Sequence, residues 1–240
     1  MKPSPPLLQA GIGVVVPYDF ALDRELWRWL PDDVSLHLTR MPYAPMAATM
    51  EMAMHISDPE TAAHCVADIS AVSPLVTAYA CTSGSFVGGP AGEQALVASM
   101  LAAGAPAALT TSGALLDALR HMGIRRLAIA TPYTADLTVG LTAYLGEAGI
   151  EVTAAAGLGL ISDIWTVPHD VTAQLVRHTD NDQAEAVFIS CTNMPTYDVI
   201  APLEGELRKP VLTANQVTMW LALGLIGRKA VGPGQQLMER

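Results

Sequence analysis

The sequence predicts an α/β protein of two pseudo-symmetric Rossmann-like lobes, each built on a parallel sheet, with an active site between them. Short runs of aliphatic and β-branched residues alternate with helical stretches of roughly ten to fifteen residues, the pattern of right-handed βαβ units. Three signatures then recur in the same order. Gly13-Val14-Val15-Val16-Pro17-Tyr18 is echoed by Leu127-Ala128-Ile129-Ala130-Thr131-Pro132-Tyr133. Val76-Thr77-Ala78-Tyr79-Ala80-Cys81-Thr82-Ser83-Gly84 is echoed by Ala186-Val187-Phe188-Ile189-Ser190-Cys191-Thr192-Asn193-Met194, and Ala108-Leu109-Thr110-Thr111-Ser112 by Val211-Leu212-Thr213-Ala214-Asn215. The offsets are 115, 110 and about 103 residues, shrinking as loop deletions would make them. A duplicated half is therefore expected. The first lobe spans residues 1–122 and carries Cys81; the second spans 123–240 and carries Cys191, its tail packing back on the first.

Taken in order, residues 1–10 read as a loose, proline-rich lead with no apolar run, so no signal peptide is expected. Residues 11–16 form the first strand and end at Pro17-Tyr18-Asp19-Phe20. Residues 21–30 read as a helix with Trp27 and Leu30 on one face, and the alternating 34–39 as a strand. Arg40-Met41-Pro42-Tyr43-Ala44-Pro45 breaks regular structure and opens a loop. Ser57, with Pro59 in the first turn and Glu60 three residues on, reads as the N-cap of a helix to about residue 70. Residues 75–80 form a strand delivering Cys81; Gly84, Gly88, Gly89 and Pro90 then make a flexible loop before a helix over 92–102. A short strand at 107–110 precedes a helix over 114–121, with Ser112 as its cap. The second half repeats the scheme. It has strands at 127–130, 151–156, 186–190 and 210–212, and helices at 136–148, 170–178, 197–207 and 216–226.

Composition narrows the function. Apolar residues make up 51% of the chain and charged residues 15%, with a mean hydropathy of +0.33. No run approaches the roughly 18 uninterrupted apolar residues of a membrane span; the apolar excess suits central parallel strands covered on both faces. A net charge of −10 argues against nucleic-acid binding, which needs a basic surface. A small acid can still be held locally by backbone amides and hydroxyls. Three widely spaced cysteines make no disulfide framework, so free thiols in a cytoplasmic setting are expected. So uncharged a chain also leads us to expect a homodimer.

A free cysteine is most often a small buried hydrophobe, and Cys65 has only that context. Cys81 and Cys191 differ. Each leaves a strand at the carboxyl edge of a sheet, where ligands bind in such folds, and hydroxyls follow each one. They are the catalytic candidates. A thiol's pKa, about 8.5 when unperturbed, falls when the amides of a strand-to-helix turn face it, so either can act as base or nucleophile. Two thiols on opposite sides of a small acid allow two routes. One removes a proton on one face and returns one on the other; the second adds to an alkene, lets a single bond rotate and eliminates. Thr82, Ser83, Thr192 and Asn193 are candidates to hold carboxylates or an enolate, against a plain role in satisfying turns. Tyr133 is a candidate phenol donor, and Pro17 and Tyr18 are its counterparts in the first lobe. The six histidines show no ligand spacing and no phosphate-loop motif occurs, so no metal and no cofactor are expected. Gly88-Gly89-Pro90-Ala91-Gly92 reads as a hinge or lid. Met41, Met46, Met50, Met52 and Met54 read as packing, with closure over a substrate as the lesser alternative.

At these residues the chain resembles the aspartate/glutamate racemase superfamily, and within it the maleate cis–trans isomerases and arylmalonate decarboxylases. The resemblance runs nearly the full length, through Val15-Val16-Pro17, Thr39-Arg40-Met41, Tyr79-Ala80-Cys81, Ser112-Gly113-Ala114-Leu115, Thr131-Pro132-Tyr133, Ile189-Ser190-Cys191 and Pro210-Val211-Leu212. It implies the Asp/Glu racemase fold and a small carboxylic-acid substrate. For the isomerases it implies Cys81 as the nucleophile adding to a double bond, Cys191 as proton donor and Tyr133 as a carboxylate ligand. For the decarboxylases it implies Cys191 as proton donor, a glycine where Cys81 stands, and an oxyanion pocket of Thr82, Ser83 and Tyr133. Two asparagines of the isomerases are replaced, one by Phe20 and the other by Asp163 or Ile164, which points to a bulkier or less anionic substrate. The expected activity is a cofactor-independent isomerase or racemase using both thiols, the alternative a decarboxylase using Cys191 alone, and a non-catalytic acid-binding protein the reading from another class.

Overall fold

The inner strands of each sheet are largely aliphatic because they are covered on both faces. The computed structural model describes residues 9–239, so residues 1–8 of the proline-rich lead lie outside the described residues. In chain order the elements are β1 (Ala10–Val16), α1 (Asp23–Leu26), β2 (Val34–Arg40), α2 (Met50–Ile56), α3 (Pro59–Ile69), β3 (Val76–Tyr79), α4 (Thr82–Phe86), α5 (Gly89–Ala102), β4 (Ala108–Thr110) and α6 (Thr111–Met122). There follow β5 (Arg126–Thr131), α7 (Ala135–Glu147), β6 (Glu151–Gly157), α8 (His169–Thr179), β7 (Ala186–Ile189), α9 (Tyr197–Leu207), β8 (Val211–Thr213), α10 (Ala214–Leu225) and α11 (Gln236–Glu239).

The strands make two parallel four-stranded sheets, ordered β2-β1-β3-β4 and β6-β5-β7-β8. The second order is the first one repeated. Every residue of β3 and β7 is buried, as strands covered on both faces should be. At Gly13 of β1 a Cβ would stand 2.6 Å from Ile69 Cδ1, so α3 seats against the sheet only because a glycine is there. Register fixes the strand ends: Ala80 N–H donates to Val15 O and Ser190 N–H to Ala130 O. Cys81 thus emerges beside Pro17, and Cys191 beside the Pro132-Tyr133 corner.

The halves meet through equivalent elements. α6 and α10, each following the last strand of its sheet, pack together, and the Thr111 and Thr218 hydroxyls bond at 2.9 Å between them. One apolar core runs from Ile12 and Ala78 through Leu115, Leu119 and Val217 to Leu127 and Phe188. Each such fully buried aliphatic side chain contributes roughly 1.5–3 kcal/mol. Glu25 of α1 crosses from one half to the other. Its carboxylate accepts from Thr196 N–H, Thr196 Oγ1 and Asn215 Nδ2 at 2.9–3.1 Å. After α10 the chain returns to α1's neighbourhood: Val231 N–H donates to Trp29 O at 2.7 Å, and Trp29 Nε1–H to Gln235 Oε1 at 2.9 Å.

Several local expectations need correction. The helix over 21–30 is one α-turn followed by a 3₁₀ turn over Trp27–Trp29. The tighter winding turns Trp29 inward and leaves Trp27 outside. Ser57 is not the cap of α3. Asp58 accepts from Thr61 N–H at 2.9 Å, while Ser57 Oγ donates to Met54 O and closes α2. Thr110, not Ser112, caps α6 by accepting from Gly113 N–H; the Ser112 hydroxyl is turned to Ser85, 2.7 Å away. The glycine-rich stretch after Cys81 is helical, α4 running through a turn at Val87 and Gly88 into α5, whose first residue Gly89 has φ +64°, rather than a flexible loop or lid. Finally, α2 stands where a loop is expected.

Candidate active site

Cys81 and Cys191 line one narrow cavity of about 30 Å³ at the carboxyl ends of β3 and β7, between the two sheets. The two loops place their thiols differently. Cys81 has extended backbone and caps α4, its Sγ accepting from Gly84 N–H at 3.4 Å and standing 3.7 Å from Ser83 Oγ. Gly84 leaves room for the Tyr79 hydroxyl, since a Cβ there would lie 2.3 Å from Tyr79 Oη. Cys191 instead has φ +84°, left-handed for a residue with a side chain. Such backbone costs on the order of 1–3 kcal/mol and persists where the surroundings impose it. Here it turns the Asn193 N–H onto Cys191 Sγ at 3.4 Å.

The sequence predicts lowered thiol pKa values, and the structure corrects that. Burial pushes Cys81 up to about 11, outweighing the pull of the Gly84 amide and Ser83 hydroxyl. Burial pushes Cys191 up to about 12, outweighing the Asn193 amide, and the nearby Cys81 and Asp19 raise it further. Cys191 keeps partial exposure, but enough protein surrounds it for burial to dominate. Both thiols are thus protonated at neutral pH before substrate binds. The two thiols act on one another, so they titrate as a pair.

Eight of the nine residues expected at the site line the cavity: Pro17, Cys81, Thr82, Ser83, Tyr133, Cys191, Thr192 and Asn193. Tyr18 does not. Its phenol turns away to donate to Met46 O at 3.1 Å and its ring packs edge-on against Tyr43. Among the others, Thr82 is 1% exposed and its Oγ1 has no hydrogen-bond partner among the described residues. A buried hydroxyl of that kind costs roughly 1–3 kcal/mol if it stays unpaired, so it is suited to a bound oxygen. Thr192 and Asn193 are committed elsewhere. Thr192 Oγ1 donates to Ala80 O at 3.2 Å, tying the two thiol loops together. Asn193 Nδ2 donates to Asp19 O at 3.0 Å and Asn193 Oδ1 accepts from Ala21 N–H at 2.9 Å, which pins the loop after β1. The Tyr133 phenol sits between Ser190 Oγ, at 3.3 Å, and the Cys191 sulfur, whose pKa it draws down.

In the rest of the wall, sequence reasoning missed Ile56 and the Asp19 carboxylate. Phe20 and Ile164, expected at the places of the isomerases' asparagines, and Met52, offered only as the lesser alternative, join Ile56 in closing the cavity with apolar surface. Met52 and Ile56 come from α2; Met52, Ala53 and Ile56 are its buried residues, and that helical spacing is the signal that finds it. Of the methionine run only Met52 reaches the cavity. Cys65 is buried on α3, away from it. Among the described residues no three His, Cys, Asp or Glu side chains are grouped to hold a metal ion.

Comparison with known proteins adds the family. A family model described as arylmalonate decarboxylase matches residues 55–238, a span that includes both thiols. This chain belongs to the arylmalonate decarboxylase family. It is 31% identical to a maleate isomerase of Nocardia farcinica over 214 residues, 82% of this chain and 85% of that one. It is 32% identical to an arylmalonate decarboxylase of Bordetella bronchiseptica over 151 residues, covering 61% and 62%. Among solved structures, a liganded arylmalonate decarboxylase variant, with one glycine changed to cysteine and one cysteine to serine, superposes with a TM-score of 0.88. That pair is 26% identical, over 96% of this chain and 99% of that one. A Nocardia farcinica maleate cis–trans isomerase variant with a covalently bound succinylcysteine intermediate superposes with a TM-score of 0.83 at 25% identity, over 96% and 99%. The chain has the Asp/Glu racemase fold shared by these enzymes. Arylmalonate decarboxylase relatives and maleate isomerase relatives thus both fit this backbone, and the chemistry turns on the thiols.

Proposed function

We propose that this member of the arylmalonate decarboxylase family is a cofactor-independent isomerase of a small unsaturated carboxylic acid, using Cys81 as nucleophile and Cys191 as proton donor. The observation that carries this reading is the pair of thiols lining one cavity between the two sheets. Cys81, protonated at rest, first releases its proton to solvent; the thiolate adds to one alkene carbon, a C–S bond forms and the π pair moves toward the neighbouring carboxylate. Cys191 gives its proton to the other alkene carbon. The former double bond, now single, rotates. Cys191 takes a proton back from that carbon, the C–S bond breaks, and the trans alkene leaves with Cys81 again a thiolate. Thr82 Oγ1, Ser83 and the Tyr133 phenol are assigned to the substrate carboxylate, whose charge grows in the intermediate. The succinylcysteine in the Nocardia isomerase supports the covalent step. Pro17, Thr192 and Asn193 are assigned to holding the loops, and Tyr18 is left out.

A decarboxylase using Cys191 alone is the second reading, favoured by the family match and the unpaired Thr82 hydroxyl. Proton NMR in D₂O with maleate, aspartate, glutamate and phenylmalonate separates them. Cis-to-trans conversion supports the addition route, deuterium at an α-carbon makes the pair a two-base racemase, and loss of carbon dioxide replaces isomerase by decarboxylase. We further read the chain as a first lobe, 1–122, and a second, 123–240, because each sheet takes its strands from one of them. A homodimer in the cytoplasm completes the reading. Half-exposed Leu101 and Leu225, which border a surface groove, support the dimer, and sedimentation tests it. No helix among the described residues is long and apolar enough to cross a membrane.

A further inference from the structure

Among the described residues no Lys, Arg or His lines the cavity between the thiols; its one carboxylate is that of Asp19, whose pKa burial raises. Asp19 lies near both reacting sulfurs, since its charge bears on Cys81 and on Cys191 alike. Among the described residues it joins no ion pair, and the one hydrogen bond to its carboxylate comes from its own backbone N–H. No other group among the described residues donates to that acceptor. The same cavity also carries donors: the buried Thr82 hydroxyl, with no partner among the described residues, and Ser83 beside it. Asp19 is also shared with an adjoining recess of about 190 Å³, whose wall adds Ser162, Asp163 and Trp165 and again no cation.

A dicarboxylate in this site would set its second negative charge against Asp19 in a partly dry pocket, where like charges repel strongly. A nitrogen carrying N–H donors would instead satisfy the idle acceptor. We propose that Asp19 determines specificity. The substrate carries one carboxylate, held at the Thr82–Ser83 wall, and in place of a second carboxylate an N–H-donating arm, a carboxamide or a cationic nitrogen, on Asp19. This rests on the two-thiol reading for its place in the reaction and names the substrate class that reading leaves open.

Titration calorimetry of the full chain at neutral pH with three unreactive acids of similar length tests it: succinate, succinamate and 4-aminobutyrate. The expected result is that succinamate or 4-aminobutyrate binds at least tenfold more tightly than succinate. Asp19→Asn then lowers that ratio at least tenfold, chiefly by tightening succinate, and Thr82→Val weakens all three. A lead for 4-aminobutyrate assigns the arm as cationic, and a lead for succinamate as a neutral amide; both support the proposal. Succinate binding as tightly as the others to the unaltered protein, an unchanged ratio in Asp19→Asn, or no binding of either nitrogen ligand overturns it. These acids undergo no chemistry, so the result is independent of the thiol mechanism. The mechanism fails separately, if Cys81→Ala turns substrate over at the unaltered rate.

Discussion

The unequal thiols set the chemistry at the scale of single residues. Cys81 and Cys191 look alike in the sequence, each leaving a buried strand ahead of a threonine, yet only Cys191 takes a left-handed backbone. The rise of both pKa values has a signed consequence. A thiol held protonated by the fold stabilises the folded chain fully below its unfolded pKa, and that contribution is lost as pH rises toward the folded value. Stability should therefore fall between about pH 9 and the folded values near 11 and 12. Denaturant titrations at pH 8 and pH 10.5 check this: the loss should be clear in the unaltered protein and smaller in a Cys81→Ala/Cys191→Ala double variant. Alkylation of Cys81 by iodoacetamide should likewise be slow at pH 7 and accelerate up to about pH 11. An alkylation rate already at its plateau at pH 7 would show that the turn amides prevail over burial.

Local elements show where the sequence was readable and where it was not. The repeat of Pro17, Cys81 and Thr110 in Pro132, Cys191 and Thr213 located both sheets and both thiols, because a parallel strand buried on two faces leaves an unmistakable apolar run. Caps and short helices were harder. Ser57 and Asp58 both satisfy the capping pattern, and only the fold shows that Ser57 ends α2 while Asp58 starts α3. Asp58→Ala should cost about 1 kcal/mol by thermal unfolding, and Ser57→Ala less. The run of glycines after Cys81 reads as flexibility, yet Gly84 serves a close approach to the Tyr79 hydroxyl, itself bonded to Ile56 O at 2.6 Å. Gly84→Ala should cost about 1–3 kcal/mol from overpacking and should impair turnover as well, since the Gly84 N–H faces Cys81. Full activity with unchanged stability would remove Gly84 from the account. Asp19 escaped notice for a different reason: a lone aspartate in a turn carries no periodic signal, and only the fold brings it to the cavity that both sulfurs line.

Across the whole molecule, the site exists because two equivalent sheets present their carboxyl edges to one another. Two tethers hold that arrangement. Thr192 Oγ1 reaches the Ala80 carbonyl, and Glu25 gathers Thr196 and Asn215, the latter also donating to Thr192 O at 2.9 Å. Glu25→Ala strands buried donors, and should cost about 2–4 kcal/mol while lowering kcat at least tenfold by loosening the Cys191 loop. Denaturant unfolding and initial rates on the same preparation measure both. Such cross-links join residues 112 to 190 positions apart, and no local pattern in the chain announces them; that part of the architecture was legible only as a duplicated half with something between. The central claim, that the two thiols divide nucleophile and proton donor between them, is tested most directly by mass spectrometry of the Cys191→Ala variant, incubated with the cis-unsaturated acid found to be turned over. The account predicts a stable addition product on the Cys81 peptide alone, absent from Cys81→Ala, with turnover lost in both variants. An adduct on another residue, or full turnover without either thiol, would contradict it.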